Sequence, residues 1–205
     1  MIKLYLIRHG ETDWNTTKRF QGWSDIELNK NGLKQAKLLG ERFKKIKIDE
    51  IYSSPLKRAV KTAEPIAKAN GIEVKTNENF KEINFGKWEG MTRDEISEIY
   101  GSEFDDFIKA PETHTFPGEI SFDNVTKRLV KGLNEVLRGK NNMSIAIVSH
   151  GGIIRLMMKY LLDIREPWYN KTWVDNTSIT YIEIGKNHNL LRVFNDSSHI
   201  ENGIL

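Results

Sequence analysis

Three short segments of this chain place arginine or histidine directly behind apolar runs. They are Arg8-His9-Gly10 behind residues 2–7, Ser53-Ser54-Pro55-Leu56-Lys57-Arg58 behind Ile51-Tyr52, and Ser149-His150-Gly151-Gly152 behind residues 143–148. Short apolar runs read as buried strands, and open α/β sheets bind ligands beyond the carboxyl ends of their strands. Three strand ends would then bring two arginines and two histidines to one place. Arginine gives bidentate hydrogen bonds to phosphate oxygens, and the second and third segments also open helices, whose first-turn amides favour an anion. These residue types compose a site for a phosphate dianion. His9 stands beside a fixed cation and before a glycine that lets backbone approach a ligand, which suits it to attack phosphorus. Attack needs a neutral ring, with one nitrogen free and the other N–H held by an acceptor, and nearby arginines favour that form. His150 and the arginines would stabilise charge on the transferring oxygens. A leaving alkoxide needs a proton, so a carboxylic acid belongs close by. Glu82 is the candidate, and Glu11 and Glu89 compete with it on chemical type alone.

The elements that must position these groups follow from periodicity. Residues 2–7 and 143–148 show little alternation, as expected of central parallel strands covered on both faces, and 47–52 and 72–76 are weaker strand candidates. Helical spacing joins Leu33, Ala36, Leu39 and Phe43 behind the cap candidate Asn31. It also joins Leu56, Ala59, Val60, Ala63, Ile66 and Ala67, with Ser54-Pro55 at the start and Gly71 past the end. Phe122, Val125, Leu129, Leu133 and Val136 follow a Ser121 cap, and 153–162 reads as a buried helix. Residues 178–184 and 190–194 read as an antiparallel hairpin added to one side of the sheet. The stretch 86–117 is less regular. Thr92-Arg93-Asp94-Glu95 is a capping box for a short helix ending near Gly101, and Trp88, Phe104 and Phe107 suit a core better than a substrate wall. This region is expected to lie over one end of the sheet and to wall the site. The expected fold is α/β in three layers: a mostly parallel sheet with helices on both faces, an antiparallel C-terminal hairpin and a small helical segment over the site. We expect one domain over 1–205, with 86–121 lid-like within it.

Bulk properties narrow the class. A chain of 205 residues suits one domain with a real core. The net charge of +3 comes from dispersed lysines, a solvated surface and not a nucleic-acid groove. No run approaches the ~20 apolar residues of a membrane span. Cysteine is absent, which removes disulfides, thiol nucleophiles and Cys-type metal sites. The apolar start is too short for a signal-peptide core, so a cytoplasmic location is expected. His114, His188 and His199 are expected at the surface, and five histidines without ligand spacing suggest neither metal nor cofactor.

Beyond these features, five segments in order along nearly the whole chain resemble the histidine phosphatase superfamily, with its phosphoglycerate-mutase-like fold. They are Arg8-His9-Gly10-Glu11-Thr12 with Trp14-Asn15, then Phe20-Gln21-Gly22-Trp23-Ser24-Asp25, then Ser53-Ser54-Pro55-Leu56-Lys57-Arg58-Ala59 with Thr62-Ala63, then Glu82-Ile83-Asn84-Phe85-Gly86-Lys87-Trp88-Glu89-Gly90, and Val148-Ser149-His150-Gly151-Gly152. The resemblance implies that His9 becomes phosphorylated, that Glu82 donates the proton, and that Arg8, Arg58 and His150 hold the phosphoryl group without a metal. It puts Asn15, Gln21 and Gly22 in the substrate pocket, and Gly151 is placed with them at the helix opening. On residue type alone, Asn15 and Gln21 equally suit turns that bond their own backbone.

The family holds phosphatases and mutases. The related mutases carry a basic central insertion, whereas here residues 101–118 have Lys109 as their only lysine or arginine. Mutases also tend to have asparagine where Gly152 stands and tyrosine where Phe85 stands, so the resemblance favours water as acceptor. The wording around Glu82 and His150 is similar to the α-ribazole phosphatase and broad-specificity branch. That branch often has Gly-Glu-Ser before its long helix, but here the run is Gly118-Glu119-Ile120-Ser121. Ile120 therefore either replaces a pocket-facing glutamate or shifts a helix cap. The expectation is a phosphoric monoester hydrolase of the histidine acid type, acting on a small phosphorylated metabolite such as α-ribazole phosphate. The alternatives are a phosphoglycerate mutase and a non-catalytic phosphate-binding domain of the same fold.

Overall fold

The computed structural model describes residues 1–201 other than 114, 116, 120 and 166. The elements run β1 (Ile2–Arg8), α1 (Asp13–Thr16), α2 (Lys30–Phe43), β2 (Glu50–Ser53), α3 (Lys57–Asn70), β3 (Val74–Thr76), α4 (Arg93–Tyr100), α5 (Ser102–Lys109), α6 (Phe122–Leu137), β4 (Ser144–Ser149), α7 (Gly151–Leu161), β5 (Ile179–Ile184), β6 (Asn189–Asp196) and α8 (Ser198–Glu201). They build a sheet of order β3-β2-β4-β1-β5-β6. The first four strands in that order are parallel, and β5 and β6 are antiparallel additions, as the hairpin reading expected.

The central strands are apolar on both sides because each side meets helices. Leu4 and Leu6 of β1, with Ile145 and Ile147 of β4, pack into a core shared with α4 to α7. Ile7, Ala146 and Val148 face a second core built with Leu39 and Phe43 of α2 and Ala59, Ala63 and Ile66 of α3. Trp88, Phe104 and Phe107 lie in the first core, and Trp88 meets both phenylalanine rings edge-on, which binds α5 to the body of the fold.

Several helix ends match the expected signals, although α3 opens one residue past Ser54-Pro55, with Leu56 at its cap position and no side-chain cap bond. Gly71 ends α3 in the left-handed conformation, Thr92 and Glu95 form the capping box of α4, and Ser121 caps α6. On α2 the cap is Asn29 and not Asn31: its side chain accepts from the Gly32 amide at 2.8 Å, so the helix starts earlier than its apolar spacing suggested. Leu33, expected on the buried face, is 53% exposed, because α2 buries the side carrying Gly32, Gln35, Ala36, Leu39 and Phe43.

His199 also departs from expectation, for it is buried and not at the surface. Arg42 on α2 bonds Ser198 at 2.9 Å and pairs with Asp196, drawing α8 inward until His199 Nε2 lies 3.2 Å from Thr177 Oγ1. His188, on the β5–β6 turn, is exposed as expected, and His114 falls outside the described residues. Among the described residues no helix is long and apolar enough to cross a membrane.

Candidate active site

Strand register explains why two imidazoles meet. Arg8 on β1 pairs with Ser149 on the parallel neighbour β4, so the next residues, His9 and His150, leave adjacent strands at the same level. Their ring centroids are 5.1 Å apart. The next strand places Ser53 against Val148, which sets Ser54 beside His150. Ser54 Oγ accepts from the Leu56 amide at 3.3 Å and lies 2.8 Å from His150 Nε2. The other ring nitrogen of His150, Nδ1, is buried without a partner.

The tautomer of His9 is fixed by its own backbone. Its Nδ1 lies 2.7 Å from the carbonyl of Gly10, which can only accept, so Nδ1 is protonated and Nε2 keeps its lone pair. Burial, with Arg58 and Arg8 adding to it, holds the His9 pKa well below the ordinary histidine value. Burial, Arg58 and His9 act the same way on His150. Both rings are therefore neutral at pH 7.

The two arginines are poised with donors to spare. Arg8 commits one of its five N–H groups, to Val174 O at 2.6 Å, and Arg58 commits two, to Ser24 O and Gly22 O at 2.7 Å each. Arg8 Nε and Arg58 Nε are buried without a partner. Burial pulls both guanidinium groups down to about 10, partly opposed by Glu82, and leaves them charged at pH 7. A buried donor left unmade costs about 1–3 kcal/mol, so these two arginines favour an anion in the cavity that both of them line.

These residues form part of a cavity of about 640 Å³. It is lined by Arg8, His9, Arg58, Glu82, Gly151 and Gly152, with Asn15, Gln21 and Gly22 on one side. Glu82 reaches the site across the start of α7: its Oε2 accepts from the Gly152 amide at 3.2 Å and its Oε1 from its own Ile83 amide at 3.0 Å. A Cβ at Gly152 would fall 2.6 Å from Glu82 Oε1, so only glycine lets the carboxyl rest on this helix end.

The two competing acids are engaged elsewhere. Glu11 accepts from Asn29 Nδ2 at 2.9 Å. Glu89 accepts from the amides of Trp23, Ser24 and Phe85 and from the Ser24 hydroxyl. Among the described residues no three His, Asp or Glu side chains converge as a metal-binding group.

The family model of the histidine phosphatase superfamily, branch 1, matches residues 4–197 of the chain. This chain belongs to the histidine phosphatase superfamily. It is 36% identical over 200 residues to phosphoserine phosphatase 1 of Hydrogenobacter thermophilus, covering 98% of this chain and 95% of that protein. The crystal structure of phosphoserine phosphatase from Entamoeba histolytica in complex with 3-phosphoglyceric acid superposes with a TM-score of 0.86 at 37% identity, covering 98% of this chain and all of that one. The α-ribazole phosphatase of Shigella flexneri superposes with a TM-score of 0.84 at 25% identity over 95% of this chain and 96% of its own. Like these relatives, this histidine phosphatase is a hydrolase acting on phosphate esters.

Of the residues singled out from the sequence, eight line the cavity of this histidine phosphatase, and His150 lies fully buried beside His9. Asn15 is both a backbone-bonding turn residue and part of the cavity wall. It caps α1 with Thr12, its Oδ1 taking the Thr12 amide at 3.0 Å, and it faces the cavity.

The walls depart from expectation. Of 86–121, Arg93 alone lines the cavity among the described residues, because α4 and α5 spend their aromatic residues on the core. The larger share comes from Trp14 to Gly22 and from Tyr169, Trp173, Val174, Asp175 and Asn176. Sequence reasoning missed the latter strap because it carries no periodicity. Its signal is the cluster of Trp173, Asp175 and Asn176 just ahead of β5. Arg155 was also missed. It stacks on the Tyr169 ring at 3.6 Å and bonds Tyr169 O at 2.7 Å, holding the strap down. Glu119 pairs with Arg128 and does not line the cavity, and Ile120 lies outside the described residues.

The loop behind His9 is fixed by backbone contact with α2. A Cβ on Gly32 would fall 2.1 Å from Glu11 O and 2.8 Å from Glu11 N, both immovable without shifting the segment that follows His9. Gly32→Ala is therefore expected to cost about 1–3 kcal/mol of stability and to lower turnover together with it. Urea unfolding alongside kcat checks this, and an unchanged midpoint with full activity would contradict the packing argument.

Proposed function

We propose that this chain is a metal-independent phosphomonoesterase working through a phosphohistidine at His9. The carrying observation is the Nδ1 bond of His9 to the Gly10 carbonyl, which leaves the Nε2 lone pair free in a ring that shares its cavity with two arginines holding unmade buried donors. In the first step Nε2 attacks phosphorus and the ester P–O bond breaks. The protonated Glu82 carboxyl gives its hydrogen to the leaving oxygen. In the second, water attacks phosphorus, Glu82 takes the water's proton, and the P–N bond breaks to release inorganic phosphate and neutral His9. Arg8, Arg58 and the Nδ1 hydrogen of His150 bind the equatorial oxygens throughout. Asn15, Gln21, Gly22 and Gly151 contact the substrate.

The substrate we propose is a small metabolite in the cytoplasm that carries a second anionic group. Two observations support this reading. Lys18 and Arg93 line the cavity and have no carboxylate partner among the described residues. The relatives include phosphoserine phosphatases at 36–37% identity, which puts phosphoserine ahead of α-ribazole phosphate. Phosphate release with added chelator, across phosphoserine, phosphoglycerates, α-ribazole phosphate and p-nitrophenyl phosphate, tests both points. Bisphosphoglycerate-dependent interconversion of 2- and 3-phosphoglycerate outrunning hydrolysis would make it a mutase. Phosphate binding without turnover on any ester would make it a binding domain.

Glu82→Gln should slow alkyl phosphates by about 100-fold or more while sparing p-nitrophenyl phosphate, whose leaving group needs no proton. Equal losses on both would remove Glu82 from the role of acid.

A further inference from the structure

Glu82 rides on residues 81–85, which form neither helix nor strand. A group that delivers a proton within hydrogen-bond reach needs a fixed backbone, and here the fixing comes from outside the cavity. Arg128 on α6 sends NH1 to Asn79 O and Lys81 O, both at 2.8 Å, and NH2 to Glu82 O and Glu119 Oε2, again at 2.8 Å. Its Nε donates to Glu119 Oε1. All five N–H donors of this guanidinium are thus committed, three of them to the backbone carbonyls of Asn79, Lys81 and Glu82.

Glu119 closes the arrangement from the other side. Its Oε2 also accepts from the Asn84 amide at 2.8 Å, and its own amide donates to Asn84 O at 3.3 Å. Gly118, at φ +92, presses against the same residue: a Cβ there would lie 2.3 Å from Asn84 O. The segment is therefore gripped on both sides of Glu82, at 79–82 by Arg128 and at 84 by Glu119. Neither side chain lines the cavity.

We propose that Arg128, oriented by Glu119, is a positioning residue for proton donation: it sets the backbone of Glu82 so that the carboxyl stays on the start of α7, over the leaving oxygen. The inference rests on the reading of Glu82 as proton donor. It also gives the Gly118–Ser121 run a task, with Glu119 serving the acid from behind and not the substrate from in front. Lysine cannot replace the arginine, because an ammonium offers three donors without the planar fork that reaches carbonyls and carboxylate together.

The test compares Arg128→Lys, Glu119→Gln and Glu82→Gln on an alkyl phosphate and on p-nitrophenyl phosphate, with melting curves and inhibition by vanadate for each. A displaced acid predicts that Arg128→Lys loses ~10–100-fold in kcat on the alkyl ester, keeps p-nitrophenyl phosphate turnover within ~3-fold and keeps its vanadate affinity. Glu119→Gln should show the same split with a smaller loss, and it carries the test if Arg128→Lys does not fold. Uniform losses on both esters, or none, while Glu82→Gln shows the split, would overturn the positioning role and leave Glu82 as acid. Absence of the split in Glu82→Gln itself would remove the acid and this inference with it.

Discussion

His9→Ala is expected to abolish phosphomonoester turnover, by at least ~10⁴-fold in kcat on every substrate, while the protein stays folded. The neighbouring groups are poorly placed to take over the attack. His150 does not line the cavity and is engaged through Nε2 with Ser54 Oγ. Glu82 is held against the α7 amide, and the two arginines are cationic. The fold should survive because the ring's polar tie is to its own neighbour, Gly10 O, and the backbone of His9 is held independently by Ser149 O and Asn176 Nδ2. Rapid quench with radiolabelled substrate offers the sharper measurement. The parent enzyme should yield an acid-labile, base-stable phosphoenzyme and the variant none. A variant that retains turnover would place the nucleophile elsewhere.

The second large effect is on stability against pH. Three histidines are buried and neutral in the fold. Burial depresses His9 and His150 most, helped by Arg58 in both cases, and it draws His199 down to about 4, with Arg42 adding and Asp196 opposing. In the unfolded chain all three titrate near the ordinary value of about 6.5. Below that value the unfolded state binds protons that the folded state refuses, so stability is full above pH ~6.5 and falls as the pH drops toward the folded values. Each histidine steepens the fall by about 1.4 kcal/mol per pH unit, so several kcal/mol should be lost between pH 7 and 5. That is a large fraction of the ~5–15 kcal/mol typical of a domain. Urea midpoints at pH 7, 6 and 5 measure it. His199→Gln, which lies outside the cavity, should flatten the slope by about one proton. Equal midpoints from pH 7 to 5 would contradict the buried neutral state.

Much of the site could be read from residues because it is built at strand ends. Arg8-His9, Ser53-Ser54 and Ser149-His150 each follow an apolar run, and parallel register then brings them level. What escaped was structure made by long-range side-chain ties that leave no local pattern. The Tyr169–Asn176 strap depends on Arg155 stacking and on bonds to β1. Arg128 and Glu119 belong to no common helical face, since Glu119 precedes the Ser121 cap. His199 looked like a terminal surface residue because its burial depends on the Arg42–Asp196 pair. Leu33 looked like core because spacing alone does not say which side of α2 meets the sheet.

The strap has a consequence for how the enzyme comes into being. Every residue proposed for the chemistry lies within the first 150. Yet Arg8 is tethered to Val174 O, the carbonyls of Arg8 and His9 receive the Thr177 amide, and Asn176 holds His9 O. A nascent chain emerging from the ribosome would thus own the whole reactive complement well before it could aim it. Catalytic competence waits until residues 174–184 are made and β5 docks beside β1, and a fragment ending before them would carry the groups of a phosphatase without being one.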